Sequence, residues 1–239
     1  MKAVYKRVLF KLSGEGLAGP SGYGVDVQAI QSLAAQIKDI ISSKVEVCIV
    51  IGGGNIFRGA KDFAAGLDRS QADQVGMLAT VMNAVFLRGA LSSVGVEAVV
   101  LSGLSVPKVC EDYNFAAAME YLRQGKVVIF AGGTGNPYFT TDTGAVLRAV
   151  EMHCDVVLKS SQVDGVYSAD PNRDASAVKY DVISYDDFLS ARLKVMDLTA
   201  VALAAENNLP IVVFSQHDAD SLLNIIRGKG SFSVIKHQK

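Results

Sequence analysis

Arg7-Val-Leu-Phe-Lys-Leu-Ser-Gly-Glu-Gly16 is an apolar run that takes in a lysine and turns at once into a glycine loop. A continuous apolar run, rather than an alternating one, suits a strand of a parallel sheet covered on both faces. The same grammar recurs outward from this stretch. Strands are expected at Arg7–Leu12, Val45–Ile51, Val96–Leu101, Lys126–Ala131, Asp155–Lys159 and Pro210–Phe214. Between them, helical patterns predict helices at Val27–Ser42, Ala72–Ser92, Phe115–Arg123, Thr143–Met152 and Asp186–Glu206. Strand alternating with helix implies an α/β fold, a three-layer α/β/α sandwich with a mainly parallel central sheet and right-handed crossovers. No Pro- or Ser-rich linker, low-complexity tract or repeat interrupts the chain, so residues 1–239 are read as a single domain whose two halves can serve two substrates.

Composition narrows the chemistry. Lys+Arg (23) and Asp+Glu (24) nearly cancel, so no broad basic field draws nucleic acid or an anionic membrane, and any bound anion must be held locally. Cys48, Cys110 and Cys154 are odd in number, far apart and set among apolar residues, which reads as reduced thiols in a cytoplasmic setting. His153 beside Cys154 is a poor nucleophile–base pair, because neighbouring residues on a strand point to opposite faces. The N-terminal run is too short for a signal core, and no apolar stretch is expected to approach the roughly 20 residues of a membrane helix.

Glycines follow three of the expected strands: Ser13-Gly-Glu-Gly16, Gly52-Gly-Gly-Asn55 and Gly132-Gly-Thr-Gly-Asn136. At strand ends such loops let backbone N–H groups approach an anion, and in open α/β sheets ligands bind at that edge. Neither G-x-x-x-x-G-K-[ST] nor a proper G-x-G-x-x-G is present, which sets aside a P-loop and leaves a dinucleotide oxidoreductase a weak rival. Lys11 and Lys159 each sit at the carboxyl end of an apolar strand. An ammonium there is expensive unless it meets an anion, and two of them suit the charge that builds up in phosphoryl transfer. The segment Thr134-Gly-Asn-Pro-Tyr-Phe-Thr-Thr-Asp142 then enters a helix. Asp142 is either the cap of that helix, the carboxylate that orients the lysines, or both. Tyr138 and Phe139 are suited to enclosing a planar base, and the threonines to binding its edge or a phosphate. None of these loops contains a histidine, which fits a nucleophile that is already anionic and needs no general base.

Several stretches match a family in order along nearly the whole chain. They are Lys11-Leu-Ser-Gly14, Ile51-Gly-Gly-Gly-Asn-Ile-Phe-Arg-Gly59, Ala72-Asp-Gln-Val-Gly-Met-Leu-Ala-Thr-Val-Met-Asn83, Thr134–Asp142, Lys159 through Val163-Asp-Gly-Val-Tyr-Ser-Ala-Asp-Pro171, and Lys194-Val-Met-Asp-Leu198. In these the chain resembles the bacterial uridylate kinases of the amino acid kinase superfamily. The lysine-glycine loop and Val163–Pro171 are shared with amino acid and carbamate kinases, whereas Thr134–Asp142 and the helix around Met77 are more specific.

The resemblance implies an amino acid kinase fold and transfer of the γ-phosphoryl group of ATP to UMP. It implies that Lys11, Lys159 and Asp142 are catalytic. Lys11, Leu12, Ser13, Gly14, Gly54 and Arg58 would hold the ATP phosphates, with Ser161, Gln162, Tyr167 and Asp170 around adenosine. Gly53, Asp73 and the loop Thr134, Gly135, Asn136, Pro137, Tyr138, Phe139, Thr140 and Thr141 would hold UMP. Asp73 suits a pair of ribose hydroxyls, although its place near a helix start also suits a cap. Arg58 suits the phosphates, because a guanidinium can bind a phosphate through two hydrogen bonds.

No dense carboxylate cluster is visible in the sequence, so no protein metal site is expected and Mg²⁺ would arrive with ATP. The resemblance also implies a homohexamer, inhibition by UTP and activation by GTP through Gly19, Pro20, Ser21, Gly22, Tyr23 and Gly24. Ser92 and Ala98 stand where the better-known pattern carries basic residues, so activation by GTP is expected to be weak or absent. The helix Ala72–Ser92, rich in Met, Leu, Val and Ala, is expected to face the core or a subunit interface. Asp197 matches the family without an evident role.

Overall fold

The computed structural model describes residues 3–58, 66–216 and 221–238. Eleven strands appear among them: β1 (Arg7–Leu12), β2 (Glu46–Ile51), β3 (Ala98–Ser102), β4 (Glu111–Asp112), β5 (Val127–Ala131), β6 (Val156–Ser161), β7 (Val166–Tyr167), β8 (Lys179–Tyr180), β9 (Val182–Ile183), β10 (Ile211–Ser215) and β11 (Phe232–Ile235). The α-helices are α1 (Val27–Ser42), α2 (Arg69–Ser93), α3 (Phe115–Arg123), α4 (Thr141–Glu151), α5 (Tyr185–Ser190), α6 (Leu198–Glu206) and α7 (Ser221–Ile226).

Nine strands form one sheet in the order β4-β3-β5-β2-β1-β6-β10-β11-β9. Every neighbouring pair is parallel except β10 with β11. On one side of β1 the sheet runs outward through β2, β5, β3 and β4, all formed by residues up to Ala131. On the other side it runs through β6, β10, β11 and β9, all formed from Val156 onward. The strand order therefore reverses at β1 and β6, which is where open α/β sheets open a ligand crevice.

Two apolar layers cover the sheet. One face buries Val8, Phe10, Ile49 and Leu158 with Ile37 of α1 and Leu87 of α2. The other buries Leu9, Val50 and Val157 with Ala145 and Ala149 of α4 and Val201 of α6. Lys11 and Lys159 lie two residues beyond Leu9 and Val157, so their side chains continue onto that second face.

The expected α/β/α architecture and mainly parallel sheet are present. All six expected strands form, with ends shifted by one or two residues, and α1 and α3 have the expected bounds. Several expectations need correction. The single helix over Asp186–Glu206 is two helices, because Arg192 takes a left-handed backbone (φ 49°) and Asp197 starts a new helix by accepting the Ala200 N–H. Helix α2 begins at Arg69 rather than Ala72. Asp68 caps it and Gln71 completes a capping box, so Asp73 is not a cap. Thr140, not Asp142, caps α4, and Asp142 is its second residue.

Sequence reading missed β11, whose burial alternates because one face looks outward, and the two-residue strands, which carry too little periodicity to register. The expectation that no apolar stretch approaches the length of a membrane helix also fails, because α2 is long and apolar enough to cross a membrane by length and composition alone. In the fold its inner face packs on the sheet, and the buried Thr80 and Asn83 on that face bond to loops at the sheet's edge.

Candidate active site

Lys11 and Lys159 are direct partners in the parallel register of β1 and β6, so their side chains leave the same face side by side. Helix α4 lies across that face and places Asp142 between them. Lys11 Nζ is 2.8 Å from Asp142 Oδ1, and Lys159 Nζ donates to Oδ1 at 2.9 Å and Oδ2 at 2.8 Å. All three side chains are nearly buried. Burial opposes the charge on the Asp142 carboxylate, but Lys11 and Lys159 together outweigh it and hold its pKa below the usual carboxylate value. For Lys159, burial is the larger influence; with the repulsion of Lys11 it outweighs the attraction of Asp142 and brings the ammonium down to about 8. The triad carries one net positive charge in a dry place, which makes it complementary to a phosphoryl group.

The first glycine loop, following β1, abuts the second, following β2. A Cβ on Gly14 would stand 2.4 Å from Asn55 Oδ1 and 2.7 Å from the Gly52 carbonyl oxygen, so only glycine fits there. Ser13 donates its N–H to Ser160 Oγ at 3.3 Å, tying this loop to β6. Across the opening, Glu15 bridges two side chains assigned above to the donor nucleotide. Arg58 Nη2 lies 2.8 Å from its Oε1, and Gln162 Nε2 donates to its Oε2 at 2.9 Å. Arg58 also donates Nε to the Gly54 carbonyl. Sequence reading did not single out Glu15, because nothing in its spacing shows that a guanidinium and an amide converge on it. Gly59, at the end of that motif, lies outside the described residues.

The third glycine loop is fixed by α2 and α4. Thr80 Oγ1 accepts the Gly132 N–H at 2.8 Å, and Thr134 and Asn136 close a turn on each other through the threonine hydroxyl. Tyr138 adopts φ 71°, unusual for a side-chain-bearing residue, and Asp73 Oδ2 holds it there by accepting its N–H at 2.8 Å. Arg69 Nε donates to the same oxygen at 2.8 Å, and its guanidinium lies over the Tyr138 ring. Asp73 thus sits beside the loop assigned to the acceptor although far from it in sequence, and Tyr138 and Phe139 are exposed at its mouth. Asp197 now has a visible place. While capping α6 it also accepts hydrogen bonds from the hydroxyls of Thr140 and Thr143, and so anchors the end of α4 that carries Asp142.

On the C-terminal side, a cavity of about 740 Å³ is lined by Ser161, Tyr167 and Asp170 on one wall and by Arg192 and Lys194 on another. Gln162 is not on its lining and turns to Glu15 instead. Tyr167 is oriented by donating its hydroxyl to Asp164 at 2.7 Å; Lys179 and Ser231 also donate to Asp164 and hold its carboxyl well below the usual range. Gly19–Gly24 lies on the far side of the second glycine loop, where the Gly24 N–H donates to the Asn55 carbonyl at 2.9 Å. The reactive-thiol reading fails further here. Cys154 is buried, and contact with Cys48 together with burial pushes its pKa well up.

Comparisons with known proteins identify the family that this chain is similar to. Residues 6–215 match the model of the amino acid kinase family. A uridylate kinase of Chelativorans sp. (strain BNC1) is 52% identical over 231 residues, covering 97% of this chain and 94% of the relative. A uridylate kinase of Brucella suis biovar 1 (strain 1330) is 50% identical and covers 98% of both. Among solved structures, UMP kinase from Bacillus anthracis superposes with a TM-score of 0.94 at 39% identity, covering 98% of this chain and 97% of that one.

Proposed function

The chain belongs to the amino acid kinase family and within it to the uridylate kinases, and from this premise we propose that it transfers the γ-phosphoryl group of ATP to UMP, giving UDP and ADP in pyrimidine nucleotide biosynthesis. The observation that carries the reading is the pair Lys11 and Lys159 sharing one carboxylate at the point where the sheet reverses its order. A phosphate oxygen of UMP, already anionic, attacks the γ-phosphorus in line. Lys11 and Lys159 neutralise the charge that grows on the transferring oxygens, and Asp142 keeps both ammoniums aimed. The chain acts as one unit, with UMP held mainly by its N-terminal part and ATP mainly by its C-terminal part.

ATP lies with its phosphates along Leu12, Ser13, Gly14, Gly54 and Arg58 and its adenosine toward Ser161, Gln162, Tyr167 and Asp170. Tyr167 and the cavity beneath it support that placement. UMP lies along Gly53, Asp73 and Thr134–Thr141. The donor substrate is the Mg²⁺ complex of ATP. The nucleotide is proposed to carry the ion, since Asp142, the carboxylate at the transfer point, is already engaged by two lysines.

Release of ADP should be stimulated strongly by UMP and not by aspartate, glutamate or carbamate; ATP and UMP bound without formation of UDP would sink the kinase reading. CMP and dUMP in the same assay measure how tightly the base and 2′-hydroxyl are read. Asp73→Asn should raise the KM for UMP about 10-fold or more, the scale of one charge-assisted hydrogen bond, with kcat within about twofold. An unchanged KM for UMP would remove Asp73 from the ribose.

The assembly proposed is a homohexamer in a cytoplasmic setting. In support, the outer face of α2 leaves Leu78, Met82 and Phe86 about half exposed, in one stripe four residues apart. A second copy of this chain is the occupant of that stripe. Phe86→Asp should shift the species seen by light scattering to a smaller one, and an unshifted mass would exclude this face. Inhibition by UTP and response to GTP remain proposals carried from the family resemblance. Arg88 shares a surface hollow of about 650 Å³ with Ser92 and Ala98, neither of which offers charge to a triphosphate, and with Lys126, whose ammonium lies 3.5 Å from Glu97. Activation by GTP is accordingly proposed to be weak or absent.

A further inference from the structure

The most heavily buried polar pair outside the lysine triad is Asn55 with Asn83, 1% and 0% exposed. Their side-chain amides are reciprocal. Asn83 Nδ2 donates to Asn55 Oδ1 at 2.7 Å, and Asn55 Nδ2 donates to Asn83 Oδ1 at 3.1 Å. Each amide then reaches one step further. Asn83 Nδ2 also donates to the Gly52 carbonyl at 2.7 Å, and Asn55 Nδ2 donates to the Gly24 carbonyl at 2.7 Å. Asn55 Oδ1 is the atom that stands against Gly14, where a Cβ would come within 2.4 Å. The pair therefore touches the glycine loops after β1 and β2, the body of α2 and the outer loop ending at Gly24.

Two buried amides impose a cost unless every donor and acceptor is met. An apolar pair would fill the same space on α2 and the second loop with less demand. What apolar side chains cannot do is fix a carbonyl and a loop backbone in one orientation. We infer that Asn55 and Asn83 are positioning residues for phosphoryl transfer, setting the backbone of Gly14 and of Gly52–Gly54 at the junction where donor and acceptor phosphates meet.

This rests on the proposed placement of those loops around the phosphates. Misalignment at the junction penalises the transfer step rather than the binding of either nucleotide, because most of each nucleotide's contacts lie elsewhere. Displacing reacting groups by about 1 Å is worth up to about 100-fold in rate.

The test is a kinetic double-mutant cycle with Asn55→Ala, Asn83→Ala and the double variant, at saturating ATP and UMP, with thermal melts of each protein. Each single change should lower kcat about 10- to 100-fold while both KM values stay within about threefold, and the double variant should be no worse than the poorer single one, because either change breaks the same unit. Additive losses, or a kcat within twofold of the parent, would overturn the inference. So would losses that vanish when activity is expressed per folded molecule.

Asn83→Asp keeps the size and guards against collapse of the site. Buried against the Gly52 carbonyl, its carboxyl should titrate above the usual range and regain activity as the pH falls and it can again donate. A flat profile would also count against the inference. Gly54→Ala separates the two layers of the argument. A Cβ there meets nothing closer than Glu15 at 4.0 Å, so an unchanged KM for ATP in that variant contradicts the phosphate-loop placement itself, while the cycle speaks to the amide pair.

Discussion

Lys159→Ala should lower kcat about 1,000-fold while the KM values for ATP and UMP change little, because the ammonium meets its full partner charge only as the γ-phosphoryl group moves. The geometry behind this is a lysine held on β6, 2.8 and 2.9 Å from the two oxygens of Asp142, with no more than 7% of its side chain exposed. The same residue should write itself into the pH profile. Its pKa in the ligand-free protein is brought down to about 8, chiefly by burial, and only the protonated form can neutralise charge. The sign follows: kcat/KM for ATP is full below that value and falls as the pH rises through about 8. For kcat the fall comes at higher pH, because bound phosphates favour the ammonium. Lys159→Arg, whatever its absolute rate, should lose this alkaline limb, since a guanidinium does not titrate in the range. A kcat within tenfold of the parent for Lys159→Ala, or a limb that persists in Lys159→Arg, would assign the charge to another group.

Asp142→Asn should be the costliest single change to the folded protein at neutral pH. It leaves Lys11 and Lys159 buried beside each other with no carboxylate, and breaking a buried ion pair from one side costs about 3–5 kcal/mol. The loss has a direction in pH. Without Asp142 the Lys159 pKa falls further, so the folded state must give up a proton that the unfolded chain keeps. That penalty shrinks as the pH rises toward 9. ATP should restore part of the stability by supplying the missing negative charge, and more of it in the variant than in the parent. Thermal melts at pH 7 and 9, with and without ATP, check all of this. A melting temperature equal to the parent's at pH 7 would mean that the carboxylate does not compensate the lysines.

Much of the fold was legible in the order of residues because its strands are buried on both faces. A strand such as Val8–Phe10 or Val156–Leu158 must be apolar throughout, and that leaves an unbroken mark in the sequence. Elements with weaker marks were lost. Strand β11 alternates, and α5 and α6 merge into one pattern because the break between them is made by Arg192 and the cap Asp197 rather than by glycine or proline. The apolar length of α2 was underestimated because its glycines, alanines and threonines dilute a run that still reads as long and apolar.

For the candidate site, residue order alone supplies the residue types: two lysines after apolar strands, three glycine loops and a carboxylate at the start of a helix. Chain order and local periodicity fix backbone conformation and the face on which a side chain lies. They do not say which strands become neighbours. Packing of the whole chain sets β1 beside β6 in a register that places Lys11 against Lys159, with α4 laying Asp142 across both. It also decided that Asp73 meets Tyr138, Asp197 meets Thr140 and Asn55 meets Asn83. Each of these contacts joins segments brought together by a crossover, and the crossover's outcome depends on burying two faces of a sheet at once. No local stretch of sequence carries that information.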